Sequence, residues 1–285
     1  MANESTSSTL SELYTEIVAE ALFVATEKSL MRGLVKNYAI AGGGKAVEVP
    51  VYAKVSAAAV SEASDLSNTA INPTSVTITA AEHGIMTTLT DLGRNASPRN
   101  VAADIGRLFG EAIARKIDTD LIAEWGNSGS TRGAFTATIT PSILFMAAAD
   151  LRKESVDISG CSTVLHPNIA YDIKSSLTNT FANPNGAVGN EALRAGFIGS
   201  LAGIPIYESG NISNTDNAGD YRGAVFHKDA FGLAMMQDLK VESQRDASLR
   251  ADEIVATAVY GVGTLQSSSS IEWDVTLTTL LTNLT

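Results

Sequence analysis

The stretch "SPRNVAADIGRLFGEAIARKIDTDLIAEWGN", residues 97–127, limits the possible folds more than any other part of the chain. Ser97 suits an N-cap, Pro98 the first helical position, and Gly126 stands where a helix stop belongs. Between them Val101, Ile105, Leu108, Phe109, Ala112, Ile113, Ile117, Leu121, Ile122 and Trp125 keep one helical face apolar throughout. At the usual rise per residue this predicts a helix about 40 Å long, which exceeds the width of a small domain. Such a helix needs a broad layer to cover its apolar face, so it is predicted to serve as a spine.

The chain has enough material for that layer. Its 285 residues are 45% hydrophobic, enough for one large domain or two modest ones. Cys161 is the only cysteine, so no intramolecular disulfide framework exists, and a buried free thiol is expected. The N-terminal stretch is polar and acidic, without the basic flank and apolar run of a signal peptide, which points to a cytoplasmic product. The longest apolar run, Ile143 to Ala149, is far too short to span a bilayer. A formal net charge of -11 argues against a nucleic-acid-gripping surface, which needs clustered Lys and Arg.

From Leu10 to Met31 the spacing of Leu10, Leu13, Tyr14, Ile17, Val18, Ala21, Leu22 and Ala25 predicts an amphipathic N-terminal helix. The glycines of "AGGGK" then form a joint. Two alternating runs follow, Ala46 to Val55 and Val76 to Thr90, and are predicted to be the arms of a long hairpin. Pro50 confines the first arm to an edge or a weakly paired strand.

The far end of that hairpin, "AVSEASDLSNTAINPTSVTIT" (residues 59–79), has five apolar side chains larger than alanine: Val60, Leu66, Ile71, Val76 and Ile78. Ordering about 20 residues costs roughly 20–40 kcal/mol of backbone entropy. Full burial of the five returns only about 1.5–3 kcal/mol each. The segment is therefore either a mobile loop or one that is ordered by lying on other chains.

Beyond the spine, Pro141 starts a helix through Leu144, Ala148 and Leu151, and "CSTVLHPNIAYDIKSSL" predicts a strand followed by a helix that Pro167 initiates. "GNEALRAGFIGSLAGIPIYESGNI" predicts a short helix, a tight glycine turn and a strand at Ile204 to Glu208. "YRGAVFHKDAFGLAMM" predicts a strand entering a short helix or turn, and the last region two strands, Lys240 to Arg245 and Glu253 to Val262, with a polar exit. The pattern is α+β, without strict β-α-β alternation.

Catalytic and metal-binding constellations are weak. "GGGK" (Gly42 to Lys45) lacks the spacing of a phosphate loop, and Ala46 stands where its Ser or Thr should be, so a hinge is the expected reading. "NTDNAGD" (Asn214 to Asp220) resembles half a calcium loop but has no closing Glu, and a surface turn is expected. His83, His166 and His227 are each isolated in sequence; a metal site or a catalytic base would need them to converge in the fold. No catalytic, cofactor or metal residue is assigned. The charged groups Glu48, Lys54, Glu62 and Asp65 on the hairpin, and Arg94, Arg99, Asp104 and Arg107 entering the spine, admit two readings. They are an ordinary solvated face, or the acidic groups meet arginines of an adjacent subunit and fix the register between copies.

In order, the elements resemble the major capsid protein of tailed bacteriophages, with the Hong Kong 97 coat-protein fold. The stretches that carry the resemblance are "VEVPVYAKVSAAAVSEASDLSNTAINPTSVTITAAEHGIMTTLTDLG" as the extended loop and "SPRNVAADIGRLFGEAIARKIDTDLIAEW" as the spine helix. "VLHPNIAYDIKSSL", "LAGIPIYES" and "VFHKDAFGLAMMQDLKVE" resemble axial-domain segments. The resemblance implies an N-terminal arm (1–43), an extended loop hairpin (44–93), a peripheral domain with the spine helix (94–140), an axial domain (141–237), and return strands with a C-terminal tail (238–285).

It also implies many copies of the chain in hexamers and pentamers of an icosahedral head enclosing double-stranded DNA, with each extended loop lying over a neighbouring subunit. Scaffolding, where present, is expected as a separate protein, beside portal and decoration proteins, with assembly in the host cytoplasm. Some members crosslink through a loop lysine; Lys54 is the candidate here, but a non-crosslinked shell is expected. The acidity suits an inner wall that does not hold packaged DNA. A nanocompartment shell of the encapsulin type is the nearest alternative, and a soluble hydrolase or binding domain a more remote one.

Overall fold

The computed structural model describes residues 29–40, 44–52, 55–57, 59–62, 65, 68–96, 101–134, 139–173, 200–213 and 220–276. A short helix α1 (Met31–Leu34) leads into β1 (Lys36–Ala39), followed by β2 (Ala46–Val51), β3 (Thr74–Thr79) and β4 (Ala81–Thr90). Helices α2 (Asp91–Ala96) and α3 (Val101–Ala123) come next, then β5 (Ser130–Ala134), α4 (Pro141–Lys153) and β6 (Cys161–Leu165). Residues 167–173 are helical (α5). The chain ends with β7 (Ser200–Leu201), β8 (Ile204–Glu208), β9 (Asp220–His227), β10 (Phe231–Asp246), β11 (Ala251–Thr264) and β12 (Ser270–Thr276).

Among the described residues the strands form three sheets. A four-stranded sheet has the order β1-β10-β11-β4, a six-stranded sheet the order β5-β12-β9-β6-β8-β7, and β2 pairs with β3 alone. The architecture is α+β.

The spine is present as α3, whose 23 residues span about 35 Å. Phe109, Ile113, Ile117 and Leu121 lie buried along one face, continued by Trp125 in the 3-10 turn Glu124–Asn127, against Leu233, Leu239, Val241 and Ile254 of the four-stranded sheet. Ala256 and Ala258 on β11, both fully buried, let the helix approach the sheet closely. Leu108 departs from the expected stripe and is 58% exposed. Leu108 and Phe109 are consecutive and point about 100° apart, and the sheet covers only Phe109. The predicted cap at Ser97 and Pro98 lies outside the described residues, as does the predicted N-terminal helix apart from Ser29, Leu30 and Met31.

A second core joins Leu144, Ala148 and Leu151 of α4 to Cys161 and Leu165 of β6, Ile169 and Ile173 of α5, Ile204 of β8 and Val225 of β9. Pro141 opens α4 as predicted, after extended backbone at Thr140. The β7–β8 turn places Ala202 and Gly203 at φ 56° and 84°, the left-handed pair that a two-residue hairpin requires.

Three expectations change. The run Val76 to Thr90 is not one arm: it breaks at the buried Ala80, with β3 pairing to β2 and β4 crossing to β11. His83 accordingly lies in the four-stranded sheet. The turn expected after the strand of "YRGAVFH" is present at residues 228–230, but "FGLAMM" beyond it is neither helix nor turn and opens the 16-residue β10, because Phe231, Leu233 and Ala234 find cover from the core. The polar exit contains β12, which sits between β5 and β9.

Candidate assembly surface

The surface predicted to meet other copies is the hairpin β2–β3 with its connecting loop. Val47 pairs with Ile78 and Val49 with Val76, so one face of the ribbon is apolar. At the root, Ile78 is 1% exposed and packs with Ala234 and Leu265 in a small separate core, bordered by Tyr38, Ile40 and Val47. Farther out, the cover ends. Every described residue from Tyr52 to Pro73 is exposed, and Tyr52, Val55, Val60 and Ile71 show 61%, 58%, 49% and 59% of their surface. The deficit of buried apolar area expected for this segment is thus real within the single subunit.

The floor under Ile78 is made of small residues. Gly232 pairs with Gly263 and Ala234 with Gly261, two successive cross-strand pairs on one face of β10–β11. A Cβ at Gly232 would stand 2.9 Å from Ile78 Cδ1, and one at Gly263 3.1 Å from Ile78 Cγ1. One at Gly261 would lie 2.3 Å from the Thr79 carbonyl oxygen, so the main chain of the hairpin root crosses β11 where no side chain is possible.

The predicted charged groups are less concentrated. Glu48, Glu62 and Asp65 are exposed on the hairpin. Lys54 and Arg99 lie outside the described residues, and Arg94 lies in α2 with its side chain outside them. Arg107 is exposed on the spine, where its Nη2 is 3.8 Å from Asp104 one turn earlier. Among the described residues no ion pair joins Arg107 to the hairpin acids.

Two polar junctions escaped the sequence reading. Asp118, on the buried side of α3 and 1% exposed, receives hydrogen bonds from Ser29 Oγ at 2.8 Å, Leu30 N at 3.2 Å, Met31 N at 3.1 Å and Asn211 Nδ2 at 3.5 Å. No side chain of its own caps α1, and the carboxylate of Asp118 does so from another helix. Burial pushes the acid above the ordinary carboxylate range, against these hydrogen bonds, which pull it down. At the far end of the four-stranded sheet, Arg245 donates to both oxygens of Asp91 at 2.8 and 2.6 Å and to Asp252 at 3.2 Å, tying α2 to the β10–β11 hairpin. An aspartate among the apolar residues of an amphipathic helix was the one available hint of the first junction.

The histidines do not converge. His83 lies 4.6 Å from the ring of Tyr260, His166 stacks on Tyr221 at 3.8 Å, and His227 is 3.6 Å from Asp229. Among the described residues no three His, Cys, Asp or Glu side chains stand close enough to share a metal ion, and no helix is long and apolar enough to cross a membrane. The turn Asn214 to Asp220 lies outside the described side chains, and Gly42 and Gly43 outside the described residues. A cavity of about 360 Å³ is lined by Ser130, Arg132, Asp150, Lys153, Ser267 and Ser268, but its arginine and aspartate pair with each other at 2.7 Å.

A profile of the family described as phage capsid protein matches residues 73–269, from the last residue before β3 to the turn before β12. The chain belongs to the phage capsid protein family. Solved structures agree in fold. The capsid of cyanophage P-SCSP1u is similar with a TM-score of 0.70 at 18% identity, over 88% of this chain and 89% of that one. The structure of Mycobacterium phage Che8 is similar with a TM-score of 0.67 at 24% identity, over 81% and 84%. The head of Helicobacter pylori bacteriophage KHP40 gives 0.67 at 12% identity, over 86% and 89%. No curated protein sequence matches significantly.

The fold is therefore the Hong Kong 97 type of phage capsid proteins, and the chain is a structural major capsid protein, a component of the virion shell that many copies build. The nanocompartment alternative fits less well, since the matching family is one of phage capsids.

Proposed function

We propose that the protein assembles into hexamers and pentamers of an icosahedral head enclosing double-stranded DNA, with β2–β3 and its loop of each subunit lying across a neighbour. The observation that carries this reading is the exposed loop: Tyr52, Val55, Val60 and Ile71 have no cover within the subunit, although their chain is spliced into the sheet at β4. In this reading the four-stranded sheet with the spine forms the peripheral domain, and the six-stranded sheet with α4 and α5 the axial domain. The hairpin acids Glu48, Glu62 and Asp65 meet Arg94, Arg99 and Arg107 of an adjacent copy. The pairs are rim-type contacts that set register more than affinity. Scaffolding, portal and decoration proteins act as separate chains, assembly takes place in the host cytoplasm, and the subunit contributes no catalytic step. Lys54 forms no covalent bond.

Electron microscopy of the purified protein tests the assembly: closed shells, rings or hexameric sheets are expected, and uniformly small particles under all assembly conditions would refute it. Deletion of Ser61 to Pro73 tests the loop. The variant should keep the circular dichroism of the folded subunit and form no shells. Loss of the fold itself would show instead that the loop belongs to the core.

A further inference from the structure

Helix α5 starts without the usual capping side chain. Ser, Thr, Asp and Asn supply an oxygen that accepts a backbone N–H two or three residues on, but the residue before Pro167 is a histidine. The carbonyl of His166 accepts the first intrahelical bond, from Ala170 N at 3.0 Å, which makes His166 the N-cap. Its side chain takes the place of the oxygen: Nδ1 accepts from Asn168 N at 3.2 Å. Pro167 has no N–H to satisfy, so this bond serves the first donor that the helix presents. The imidazole lies flat on the ring of Tyr221 in β9, 3.8 Å between centres and 8° from parallel.

An imidazole can cap a helix only while the nitrogen that faces it is bare. The neutral ring has one acceptor and one donor nitrogen, whereas the imidazolium has two donors and no acceptor. A proton on Nδ1 therefore sets two N–H groups against each other, and it brings positive charge to the positive end of the helix dipole. His227 makes the same local bond, from Asp229 N to Nδ1 at 3.2 Å, but there the Asp229 carboxylate stands 3.6 Å from that nitrogen, ready to meet the charge. His166 has no such relief. The titratable and charged groups on the elements around it are Glu208, which pairs in register with Leu165, Tyr221 and Arg222 on β9, and the buried Asp172 within α5. Among the described residues no carboxylate forms an ion pair with it, and burial holds its pKa below the ordinary imidazole range.

We propose that His166 is a proton-released N-cap, which holds the first turn of α5 while its ring is neutral and lets that turn open when the ring is protonated. Ile169, Ala170 and Ile173 carry α5 into the second core, so acid loosens the helix-covered side of the six-stranded sheet and leaves the four-stranded sheet as it was. Every copy in the shell carries the same element.

Hydrogen exchange of the full-length protein tests this, expressed as protection factors so that the intrinsic pH dependence drops out. From about pH 7.5 to about pH 5, protection of residues 168–173 in wild type should fall about five- to tenfold, the worth of one cap. Protection in β10 and β11 should stay level. His166→Asn keeps a capping side chain and does not titrate in this range, so it should match wild type at the higher pH and show no fall. His166→Ala should be poorly protected in α5 at both. Nitrogen NMR shifts at the higher pH should show the ring proton of His166 on Nε2. An equal fall in wild type and His166→Asn, no fall in wild type, or a ring proton on Nδ1 would overturn the proposal. So would a loss of protection throughout the subunit, since the opening would then be global.

Discussion

Replacing Asp118 by alanine tests the claim that one buried carboxylate holds the root of the N-terminal arm to the spine. Three donors lie within 3.2 Å of it: Ser29 Oγ, Leu30 N and Met31 N. Hydrogen bonds to a charged group contribute about 1.5–3 kcal/mol each. The sum overstates the loss, since removing the charge also removes the cost of burying it, and that cost is the larger of the opposing effects on this acid. What remains is a set of donors without acceptors and an uncapped helix, at roughly 1 kcal/mol apiece. The expected destabilisation is about 2–4 kcal/mol, read from urea unfolding of the unassembled subunit. Hydrogen exchange should localise it, with faster exchange at residues 29–35 and little change in β10 and β11. A loss below about 0.5 kcal/mol with unchanged exchange would refute the reasoning. Burial of Met31 and Val35, both fully covered, would then be what holds the arm.

The same residue sets a pH dependence of definite sign. The folded-state pKa of Asp118 is raised, so the folded protein binds this proton more tightly than the unfolded chain does. The associated stability is fully present below the unfolded pKa and is lost as the pH rises through the folded one. Asp118→Asn cannot titrate. Wild type should therefore gain stability relative to Asp118→Asn as the pH falls through this window, and parallel curves for the two proteins would contradict the assignment.

Phe226→Ala should cost about 3–5 kcal/mol in unfolding free energy, because Phe226 is fully buried between Trp125 and an edge-on Phe231 whose ring centre is 5.3 Å away; a loss under 1 kcal/mol would mean that the site collapses without cost. Cys161 is buried, bonded to the Asp157 carbonyl at 3.3 Å, and its thiol is pushed up to about 11; it should ignore a thiol reagent at pH 8 in the folded subunit and react fully in urea. His166 is held below its ordinary pKa by burial against Tyr221. Its lowered folded-state pKa gives stability that is present above the unfolded value and lost as the pH falls through the folded one, so wild type should lose stability relative to His166→Gln over that range, as read from thermal melts.

The spine helix, α4 and β8 were legible in the sequence because their signals are local. Apolar spacing, Pro141 and the glycine turn at Gly203 act within one turn of chain, and nothing distant overrides them. β10 was misread at its start for the opposite reason. "FGLAMM" suits either a helix or a strand, and partners on both sides, β1 and β11, decide for the strand. β12 was missed because its partners β5 and β9 lie far off in sequence, and its pattern is too short to announce a central strand.

The break at Ala80 shows a further limit. An alternating run specifies which side chains share a face, not which strand that face will meet. Within residues 74–90 the apolar phase shifts, from Val76, Ile78 and Ala80 to Ile85 and Leu89, and the chain changes sheets between the two, at the point where Gly261 leaves room for the Thr79 carbonyl. The phase shift marks where the run divides, but the cover that receives the hairpin root lies far downstream in sequence, at Gly261 and Gly263 of β11. The assembly surface is hidden in the same way, one level higher. The cover missing from Tyr52, Val55, Val60 and Ile71 is supplied, on the proposed reading, by another copy, so the sequence can record only the deficit. That deficit still has weight. About 20 ordered residues cost far more than their apolar side chains can return within the subunit, so a loop of this composition is ordered only where a second surface shares the burial.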